Sequence, residues 1–555
     1  MKILLTAVNA KYIHTNPAIY ALQAYASARL SSCHQNSAGG CVPGDIQVET
    51  VEFTINDRYS DVLAGILEHR PDVVALSTYI WNVDRVRRLI RDLRSVREDQ
   101  IQIWVGGPEA TYAPGPFLLE DGADLCMLGE GEETFTGLCA ACYRRSSEDA
   151  GKEQIPGISY LKDGKLISTG MARPVDLDSV PFLYRDLSRF ENRILYYESS
   201  RGCPFGCAYC LSGKERGIRY RSLEKVDREL GFFLDAKVPQ VKFIDRTFNA
   251  DAERAMHIWT FLKEHDNGVT NFHFEIEADR MTEEELALLS SLRPGLVQLE
   301  IGVQSANAQT LKSVHRNTSL DRIAHVMETL TRKQNINLHL DLIAGLPYEG
   351  LESYRHSFQK VWEMRPHQLQ PGFLKLLAGT ELADRSCEYG LVCSKDAPYE
   401  VLKTRWLSYE ELLLLHRISD RVEEYVNSQG FRRSLPLAER LFPDAFALFE
   451  ALAEYYRDNG YEQRPPSVFK RYEIFSNFLK KTAEKNGNVS SAQLSLLLET
   501  VRLDQYLHTH PSRRMTAEET FVLEEGPVRY AFDYRETSPV NGEAAYRLVA
   551  EGDVK

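Results

Sequence analysis

The sequence of 555 residues has no hydrophobic run long enough to cross a membrane. A membrane-spanning helix needs about 18 to 20 consecutive apolar residues without charge, and no window meets that requirement. The opening segment, MKILLTAVNAKY, has an apolar run too short for a signal peptide, and no small-residue cleavage pattern follows it. We therefore expect a cytoplasmic protein without membrane interaction.

The sequence also has no excess of positive charge. Lys and Arg number 66 against 79 Asp and Glu, which gives a formal net charge of −13. Sequence-independent nucleic-acid binding needs a basic surface, and the one basic stretch, 214–221, is short. Low-complexity segments and internal repeats are absent as well, so the length indicates several globular domains.

The first 145 residues alternate between short apolar runs and helical patterns. This spacing predicts an α/β domain with a doubly wound, Rossmann-like parallel sheet. The predicted strands cover 3–8, 46–53, 73–77, 101–105 and 123–128. Ligands of such sheets bind beyond the carboxyl ends of the strands. The candidate binding loops are therefore 9–16, 77–82, 106–111 and 129–134.

Residues 146–190 are expected to form a linker, with a hairpin in ISYLKDGKLIST that turns at Asp163 and Gly164. A second strand–helix series occupies 191–385. Its six strands are fewer than the eight of a complete barrel and predict a partial (β/α)6 barrel. These strands cover 194–199, 240–245, 271–277, 297–303, 336–342 and 368–374.

Residues 386–555 are expected to form a mostly helical domain with a short β-like tail. The predicted helices cover 408–428, 444–458, 467–485 and 490–507, and the tail covers 520–534. Cys387 and Cys393 are candidates for accessory metal ligands. The region otherwise carries no motif that indicates a chemistry. Our hypothesis is that it forms a lid over the substrate or a partner-docking module.

The motif that indicates chemistry is RGCPFGCAYC, which begins at residue 201. It places Cys203, Cys207 and Cys210 on one short loop directly after the first barrel strand. A four-iron cluster needs four ligands, so three thiolates leave one iron open for a chelating ligand. A zinc site with a distant fourth ligand and incidental core thiols are the alternatives, but the spacing and Tyr209 favour the cluster.

This C-x3-C-x-aromatic-C pattern resembles the signature of the radical S-adenosylmethionine (radical SAM) enzymes. The resemblance implies a [4Fe-4S] cluster whose open iron is chelated by SAM, in a (β/α)6 partial barrel. It also implies reductive cleavage of SAM to a 5′-deoxyadenosyl radical. Such an enzyme requires an electron donor, for which we expect reduced flavodoxin or ferredoxin, and a small-molecule or peptide substrate.

The same resemblance places candidate SAM-binding residues near the cysteine loop and at the strand ends of the barrel. Arg219 and Arg221 are candidates for the SAM carboxylate, and Glu275 or Glu277 for the ribose hydroxyls. Each residue alone could be a strand-end polar group bonded to nearby backbone, but the recurring set predicts a pocket. The full set is Tyr209, Arg219, Arg221, Asp245, Glu275, Glu277, Gln304, Asp341 and Leu346.

A doubly wound domain followed by this barrel resembles the cobalamin-binding radical SAM proteins. The loops STYIWN, GGPEAT and GEGEET support the resemblance. No Asp-x-His-x-x-Gly motif, the source of an axial histidine in other cobalamin proteins, occurs in 1–150. A domain that binds another ligand, or only packs on the barrel, is the alternative. The candidate cobalamin-binding residues are Asn9, His14, Ser77, Tyr79, Asn82, Gly106, Gly107, Glu109, Gly129, Glu130, Gly131 and Glu132.

With its C-terminal region, the whole chain resembles cobalamin-type radical SAM proteins that carry a DUF4080 region. The resemblance implies cobalamin-dependent methyl transfer to an unactivated carbon and leaves the catalytic residues unassigned. Radical cyclisation, rearrangement or oxidation without methyl transfer is one alternative, and a non-catalytic iron–sulfur sensor is another. Cys139 and Cys142 form a C-x2-C pair on a predicted helix, where we expect them to pack rather than bind metal.

Overall fold

The computed structural model describes residues 1–32, 46–143, 152–214, 217–487, 489–509, 521–525, 528–533 and 547–551. The chain divides into two compact units. Unit one comprises residues 1–301, 312–336 and 374–404, and unit two comprises 302–311, 337–373 and 405–555.

The first sheet of unit one has five parallel strands, as the sequence predicted, and their order is β2-β1-β3-β4-β5. They are β1 (Lys2–Asn9), β2 (Gln47–Thr54), β3 (Val73–Ser77), β4 (Gln102–Gly106) and β5 (Leu125–Met127). Strands β1, β3, β4 and β5 are continuous apolar runs because helices cover both faces of the sheet. The helices are α1 (Pro17–Ser32), α2 (Tyr59–Glu68), α3 (Val83–Arg97), α4 (Pro108–Tyr112) and α5 (Gly131–Tyr143).

The predicted hairpin is present, but it is not part of a free linker. Its strands, β6 (Ile158–Lys162) and β7 (Lys165–Ser168), extend the first sheet in antiparallel orientation beyond β5. Ile158 and Tyr160 of β6 are buried, which explains why this segment packs there. Residues 144–151 of the expected linker lie outside the described residues.

The second strand series of unit one contains four parallel strands in the order β8-β11-β12-β13. A two-stranded antiparallel ribbon, β9 with β10, follows β8 and was not predicted. The strands are β8 (Leu195–Tyr197), β9 (Ser200–Cys203), β10 (Gly217–Tyr220), β11 (Gln240–Phe243), β12 (Asn271–Ile276) and β13 (Val297–Gln304). Residues of β13 alternate between buried and partly exposed, which matches a strand with one apolar face.

The last two strands of the series lie in unit two, where β14 (Asn337–Ala344) pairs in parallel with β15 (Gln368–Phe373). All six predicted strands are therefore present. The helices of the series are α6 (Leu223–Asp235), α7 (Ala252–Glu264), α8 (Glu283–Ser290), α9 (Ala308–Ser313), α10 (Leu320–Thr331) and α11 (Leu351–Glu363). Unit one also includes α12 (Glu381–Asp384), α13 (Ser386–Tyr389), β16 (Val392–Cys393) and β17 (Val401–Lys403).

The C-terminal region is mostly helical, as predicted. Its helices are α14 (Tyr409–Val422), α15 (Ser434–Glu439), α16 (Ala445–Asp458), α17 (Val468–Asn486) and α18 (Ser491–Thr509). A π-helical turn after α14 carries Asn427, whose side chain makes two 2.9 Å hydrogen bonds with the backbone of Leu369 in β15. This side chain satisfies a strand edge that would otherwise be open.

The predicted tail contains β18 (Phe521–Glu525) and β19 (Val528–Asp533), which pair with β20 (Arg547–Glu551). The other tail residues lie outside the described part of the chain. Among the described residues, no helix is long and apolar enough to cross a membrane.

Candidate active site

Cys203 ends β9, Cys207 and Cys210 lie on the loop that follows, and all three are free thiols of intermediate burial. The loop is tight, since the Cys210 amide donates to the Cys207 carbonyl and the Gly213 amide donates to that of Cys210. Gly202, in the ribbon before the loop, has a φ of +106°, and a Cβ there would lie 2.2 Å from the Gly217 carbonyl oxygen. The ribbon therefore requires glycine at this position.

One end of this loop is bordered by charged and aromatic side chains from the barrel. The Arg316 guanidinium lies 4.0 Å from Cys207 Sγ and makes two bonds to the Glu277 carboxylate, at 2.9 and 3.1 Å. Burial raises the pKa of Glu277, and Arg316 opposes that rise. Tyr209 lies beside the same thiol, and burial raises the pKa of its phenol. Glu277 is thus held at the cysteine loop rather than in the cavity.

A cavity of about 770 Å³ lies in unit one, between the strand-end loops of the first sheet and those of the barrel. Ligand sites for small molecules commonly have volumes of this size. Its first wall comes from the loops after β1, β3, β4 and β5. Its second wall comes from β8, from strand β9 of the antiparallel ribbon, and from β11 and β12. Residues 180–184 also line it.

Most of the predicted cobalamin residues line this cavity. They are Asn9, His14, Ser77, Tyr79, Gly106, Gly107, Gly129, Glu130, Gly131 and Glu132. Gly107 has a φ of +109°, and a Cβ there would lie 2.4 Å from the Thr78 carbonyl oxygen, so only glycine lets β4 approach the neighbouring loop this closely. Their binding roles stay predictions.

Asn82 and Glu109 do not line the cavity. The Asn82 amide donates to the carbonyls of Val8 and Ser77 and accepts from the Tyr79 amide, so it ties together the ends of β1 and β3. Glu109 accepts a 2.8 Å hydrogen bond from the Tyr399 hydroxyl, and burial raises its pKa. Both side chains hold loops in place instead of facing the cavity.

Among the predicted SAM residues, Arg221 and Glu275 line the cavity, whereas Arg219 and Asp245 do not. The Arg219 guanidinium pairs with Glu130 and donates to the Val175 carbonyl. Asp245 is 1% exposed, accepts three hydrogen bonds from Ser199 and Ser200, and has a pKa raised to about 6 by burial. Both groups have local partners that the sequence motif did not reveal.

The three remaining predicted SAM residues lie in unit two. Gln304 ends β13 with a φ of +70°, and Leu346 is fully buried. An Asp341 carboxylate oxygen lies 3.1 Å from His339 Nε2 on the same face of β14. Tyr209, within the cysteine loop, and Glu277, beside it, complete the predicted set.

Arg201 stands at the centre of the charged part of the cavity wall. It forms ion pairs of 3.0 Å with Glu130, 2.8 Å with Glu132 and 2.8 Å with Glu198. Glu130 precedes α5 and Glu132 lies in its first turn, in the first domain, whereas Arg201 and Glu198 belong to the barrel. This cluster joins the two walls, and the sequence analysis missed its central residue.

Sequence reasoning missed further polar residues of the cavity. Lys242 lies 3.1 Å from Glu300 and 3.8 Å from Glu275, and it shares one face of neighbouring parallel strands with both. Arg246, three residues after β11, also lines the cavity, in agreement with its predicted place among the strand-end groups of the barrel. Strand alternation could have indicated Lys242, because it follows the same period-two pattern as Glu275 and Glu300.

The residues present fit the groups that the sequence implied. Three free thiols on one short loop are suitable donors for an iron–sulfur cluster. Arg221 is 5% exposed and its Nε makes no hydrogen bond, although its Nη1 donates to the Val180 carbonyl and to Glu229. A buried cationic nitrogen without a partner, in the lining of a large cavity, suits the carboxylate of a ligand such as SAM.

The cavity also fits a large planar ligand. Glycine backbone and the stacked rings of Tyr79 and Trp81, with centroids 4.4 Å apart, form part of its first wall. No side chain projects from the glycines, so a flat ring could lie close to the backbone. These features suit the corrin ring of cobalamin.

Comparison with known families assigns three consecutive segments. Residues 5–139 match the B12 binding domain, 197–361 match the Radical SAM superfamily, and 387–524 match the protein of unknown function DUF4080. Each match falls on the corresponding predicted part of the chain.

Individual relatives agree with this organisation. The chain is 24% identical over 344 residues to 2-(S-pantetheinyl)-carbapenam-3-carboxylate methyltransferase of Streptantibioticus cattleyicolor, covering 56% of this chain and 47% of that protein. It is 26% identical over 331 residues to the cobalamin-dependent radical SAM methyltransferase TokK of Streptomyces tokunonensis, covering 55% and 46%. The match thus spans about half the length of these relatives.

The fold is also similar to that of a solved structure. The cobalamin-dependent S-adenosylmethionine radical enzyme OxsB, with aqua-cobalamin bound, matches with a TM-score of 0.60 and 17% identity, covering 91% of this chain and 80% of that one. The chain thus carries, in this order, a B12-binding domain, a radical SAM domain and a DUF4080 region, and its relatives include a cobalamin-dependent radical SAM methyltransferase.

Proposed function

We propose that this protein is a radical SAM enzyme that reductively cleaves SAM and performs cobalamin-dependent methyl transfer to an unactivated carbon of its substrate. The observation that carries the proposal is the shared cavity, bordered by the strand-end loops of the B12-binding domain and by the ribbon that bears Cys203. Such a cavity brings a corrinoid and a SAM-binding cluster to one substrate. The methyltransferase relatives support methyl transfer as the reaction.

In this proposal Cys203, Cys207 and Cys210 hold the cluster, and the loops of the first wall hold cobalamin. When bound, the cluster supplies the electron for SAM cleavage and the corrinoid carries the methyl group. Arg221 orients the SAM carboxylate through its unpartnered Nε, and Glu275 bonds the ribose hydroxyls. The aromatic and apolar lining excludes water, which protects a radical reaction from side reactions.

The domain limits that we assign are 1–145 for the cobalamin domain and 191–385 for the barrel, with 386–555 as the helical domain. Between them, 146–190 connects the first two and contributes its hairpin to the first sheet. A radical SAM enzyme needs a reductant and a substrate. We assign reduced flavodoxin or ferredoxin as the electron donor, a small molecule or peptide as the substrate, and the cytoplasm as the location.

The test uses full-length protein reconstituted anaerobically with iron, sulfide and hydroxocobalamin, then supplied with SAM and a strong reductant. We expect 5′-deoxyadenosine to form, and Cys203→Ala to reduce it to the level without protein. Cys142→Ala changes a free cysteine outside the motif, which we expect to pack rather than bind metal, and should leave the yield unchanged. Unaltered yield in Cys203→Ala would show that the cluster assignment is wrong.

A second measurement separates methyl transfer from other radical reactions. Methyl transfer through cobalamin consumes one further SAM for remethylation, so S-adenosylhomocysteine should appear together with 5′-deoxyadenosine. Formation of 5′-deoxyadenosine without S-adenosylhomocysteine would instead favour cyclisation, rearrangement or oxidation. Binding of SAM with neither product would favour a sensor.

A further inference from the structure

His14 occupies the point of the first sheet where large ligands are expected. The strand order β2-β1-β3-β4-β5 reverses between β1 and β3, and ligands of doubly wound sheets bind in the crevice at such a switch point. His14 lies in the loop that follows β1, next to barrel strand β8, and it lines the cavity. Among the described residues it is the one histidine in the cavity lining.

The backbone of this loop is fixed on both sides. The Asn9 side chain donates to the His14 carbonyl at 3.1 Å and to Glu52 at 2.8 Å. On the other side, the Ile194 amide donates to the Ile13 carbonyl at 2.8 Å, next to the start of β8. Because the backbone on both sides of His14 is hydrogen-bonded, protein contacts alone fix the position of this histidine.

The imidazole ring is fixed through one nitrogen only. Its Nδ1 lies 2.6 Å from the Tyr196 hydroxyl, whereas its Nε2 makes no hydrogen bond to the described residues. Tyr196 is itself held, because the Tyr184 hydroxyl donates to its carbonyl at 2.6 Å and accepts from its amide at 3.0 Å. Histidines that ligate metals typically bind through one ring nitrogen while a second partner orients the other.

We propose that His14 is the protein ligand to the cobalt of the corrinoid, through Nε2, and that Tyr196 is the positioning residue that orients its ring. The proposal rests on the proposed function, since it requires a corrinoid in this cavity. It assigns an axial ligand although the Asp-x-His-x-x-Gly motif is absent. Ligation through Nε2 leaves the proton on Nδ1, where the Tyr196 oxygen accepts it.

The test is electron paramagnetic resonance of the full-length protein with nitrogen-15 in its histidines only. The protein is loaded with unlabelled hydroxocobalamin and reduced to the cobalt(II) state. An axial nitrogen splits each cobalt line, into a doublet when it is nitrogen-15 from histidine and into a triplet when it is nitrogen-14 of the corrinoid's own benzimidazole. We expect the doublet, and its loss in His14→Gln.

The matched variants separate ligation from folding. Tyr196→Phe should retain the doublet but weaken corrinoid retention by about tenfold, as loss of a ligand's orienting partner does. His257→Gln replaces an exposed histidine of α7 that pairs with Asp227, and it should change neither the doublet nor retention. The isotope measurement on unsubstituted protein stands even if His14→Gln fails to fold.

The outcomes are distinct. Bound corrinoid with a triplet, or with no nitrogen splitting, overturns the ligation while the proposed function stands. A doublet that persists in His14→Gln overturns it as well. A protein whose absorption spectrum shows no corrinoid after loading overturns both the ligation and the cobalamin-dependent function.

Discussion

The Glu277 carboxylate and the Arg316 guanidinium form a two-bond ion pair, at 2.9 and 3.1 Å, beside the cysteine loop. Each side chain is only 12% exposed, and the same guanidinium lies 4.0 Å from Cys207 Sγ. Glu277, which the sequence suggested as a ribose ligand, is therefore committed to an arginine. The pair places a positive group next to a thiol that the cluster needs as thiolate.

Replacement of Arg316 should weaken the binding of the iron–sulfur cluster by the cysteine loop. In Arg316→Ala, Glu277 is left buried without a partner and Cys207 loses its neighbouring cation. We expect about tenfold faster loss of iron to a chelator, the scale on which supporting residues affect metal sites. Arg316→Lys keeps the charge without the planar, two-pronged guanidinium, so its rate of iron loss should lie between those of the parent protein and Arg316→Ala. The control is Arg332→Ala, which removes an exposed ion pair with Glu328. Equal rates of iron loss in Arg316→Ala and Arg332→Ala would contradict a role of Arg316 in retaining the cluster.

Arg201 should be a major source of stability in unit one, because it forms ion pairs with Glu130, Glu132 and Glu198 together. Arg201→Met leaves three carboxylates close to one another, and removal of one partner of a buried pair typically costs about 3–5 kcal/mol. The measurement is the shift in the urea concentration at which unit one unfolds. Lys162→Met removes an exposed pair with Glu153 and should cost at most about 1 kcal/mol. Similar shifts in Arg201→Met and Lys162→Met would show that the charge cluster around Arg201 does not stabilise unit one.

Filling the cavity should exclude the corrinoid and leave the cluster intact. Ala10 lines the cavity at the end of β1, so Ala10→Trp places an indole where the proposed ring would bind. We expect corrinoid absorption per chain to fall sharply while iron content stays constant. Ala28→Trp adds the same ring on the exposed face of α1 and should retain corrinoid. Full corrinoid content in Ala10→Trp would show that the ligand binds elsewhere.

Unit two should become less stable as pH rises toward neutrality, because of Glu349. This carboxyl is 0% exposed, and burial raises its pKa from 4.5 to about 7 despite hydrogen bonds from Ser305 and Ser357. Between these pH values the folded state holds a proton that the unfolded state releases. The free energy of unfolding therefore falls with rising pH, by about 3 kcal/mol across the window.

Glu349→Gln cannot ionise, so it should remove this slope and unfold at higher temperature than the parent protein at pH 8. The check is thermal unfolding at pH 5 and pH 8. Glu473→Gln, at an exposed carboxyl paired with Lys470, should keep the parental pH dependence. A parental slope in Glu349→Gln would mean that another group titrates.

The parts predicted correctly are those encoded over short stretches of sequence. Buried strands such as β1 and β3 are continuous apolar runs, and the three cysteines lie within eight residues, so neither depends on distant contacts. The alternation of β12 was also predicted, with Phe272, Phe274 and Ile276 buried on one face. The ribbon of β9 and β10 was missed because each of its strands is only four residues long.

Some strand-end groups that the sequence predicted at a ligand have partners within the protein instead. Arg219 was expected at SAM, yet its partner Glu130 lies 89 residues earlier in the chain. Asp245 was expected in the pocket, but Ser199 and Ser200 surround it. A local pattern shows that a residue ends a strand, and it does not show which distant residue is already bonded to it.

The sequence by itself determined the order of strands and helices, the trio of thiols and the glycine-rich loops, because periodicity and local spacing control them. Only the tertiary structure decided that Arg201 closes a four-charge cluster, that Arg221 keeps an unpartnered nitrogen and that His14 rests on Tyr196. The physical reason is that a charge or hydrogen bond is satisfied by whatever lies within about 3 Å in space, and separation along the chain does not reveal that neighbour.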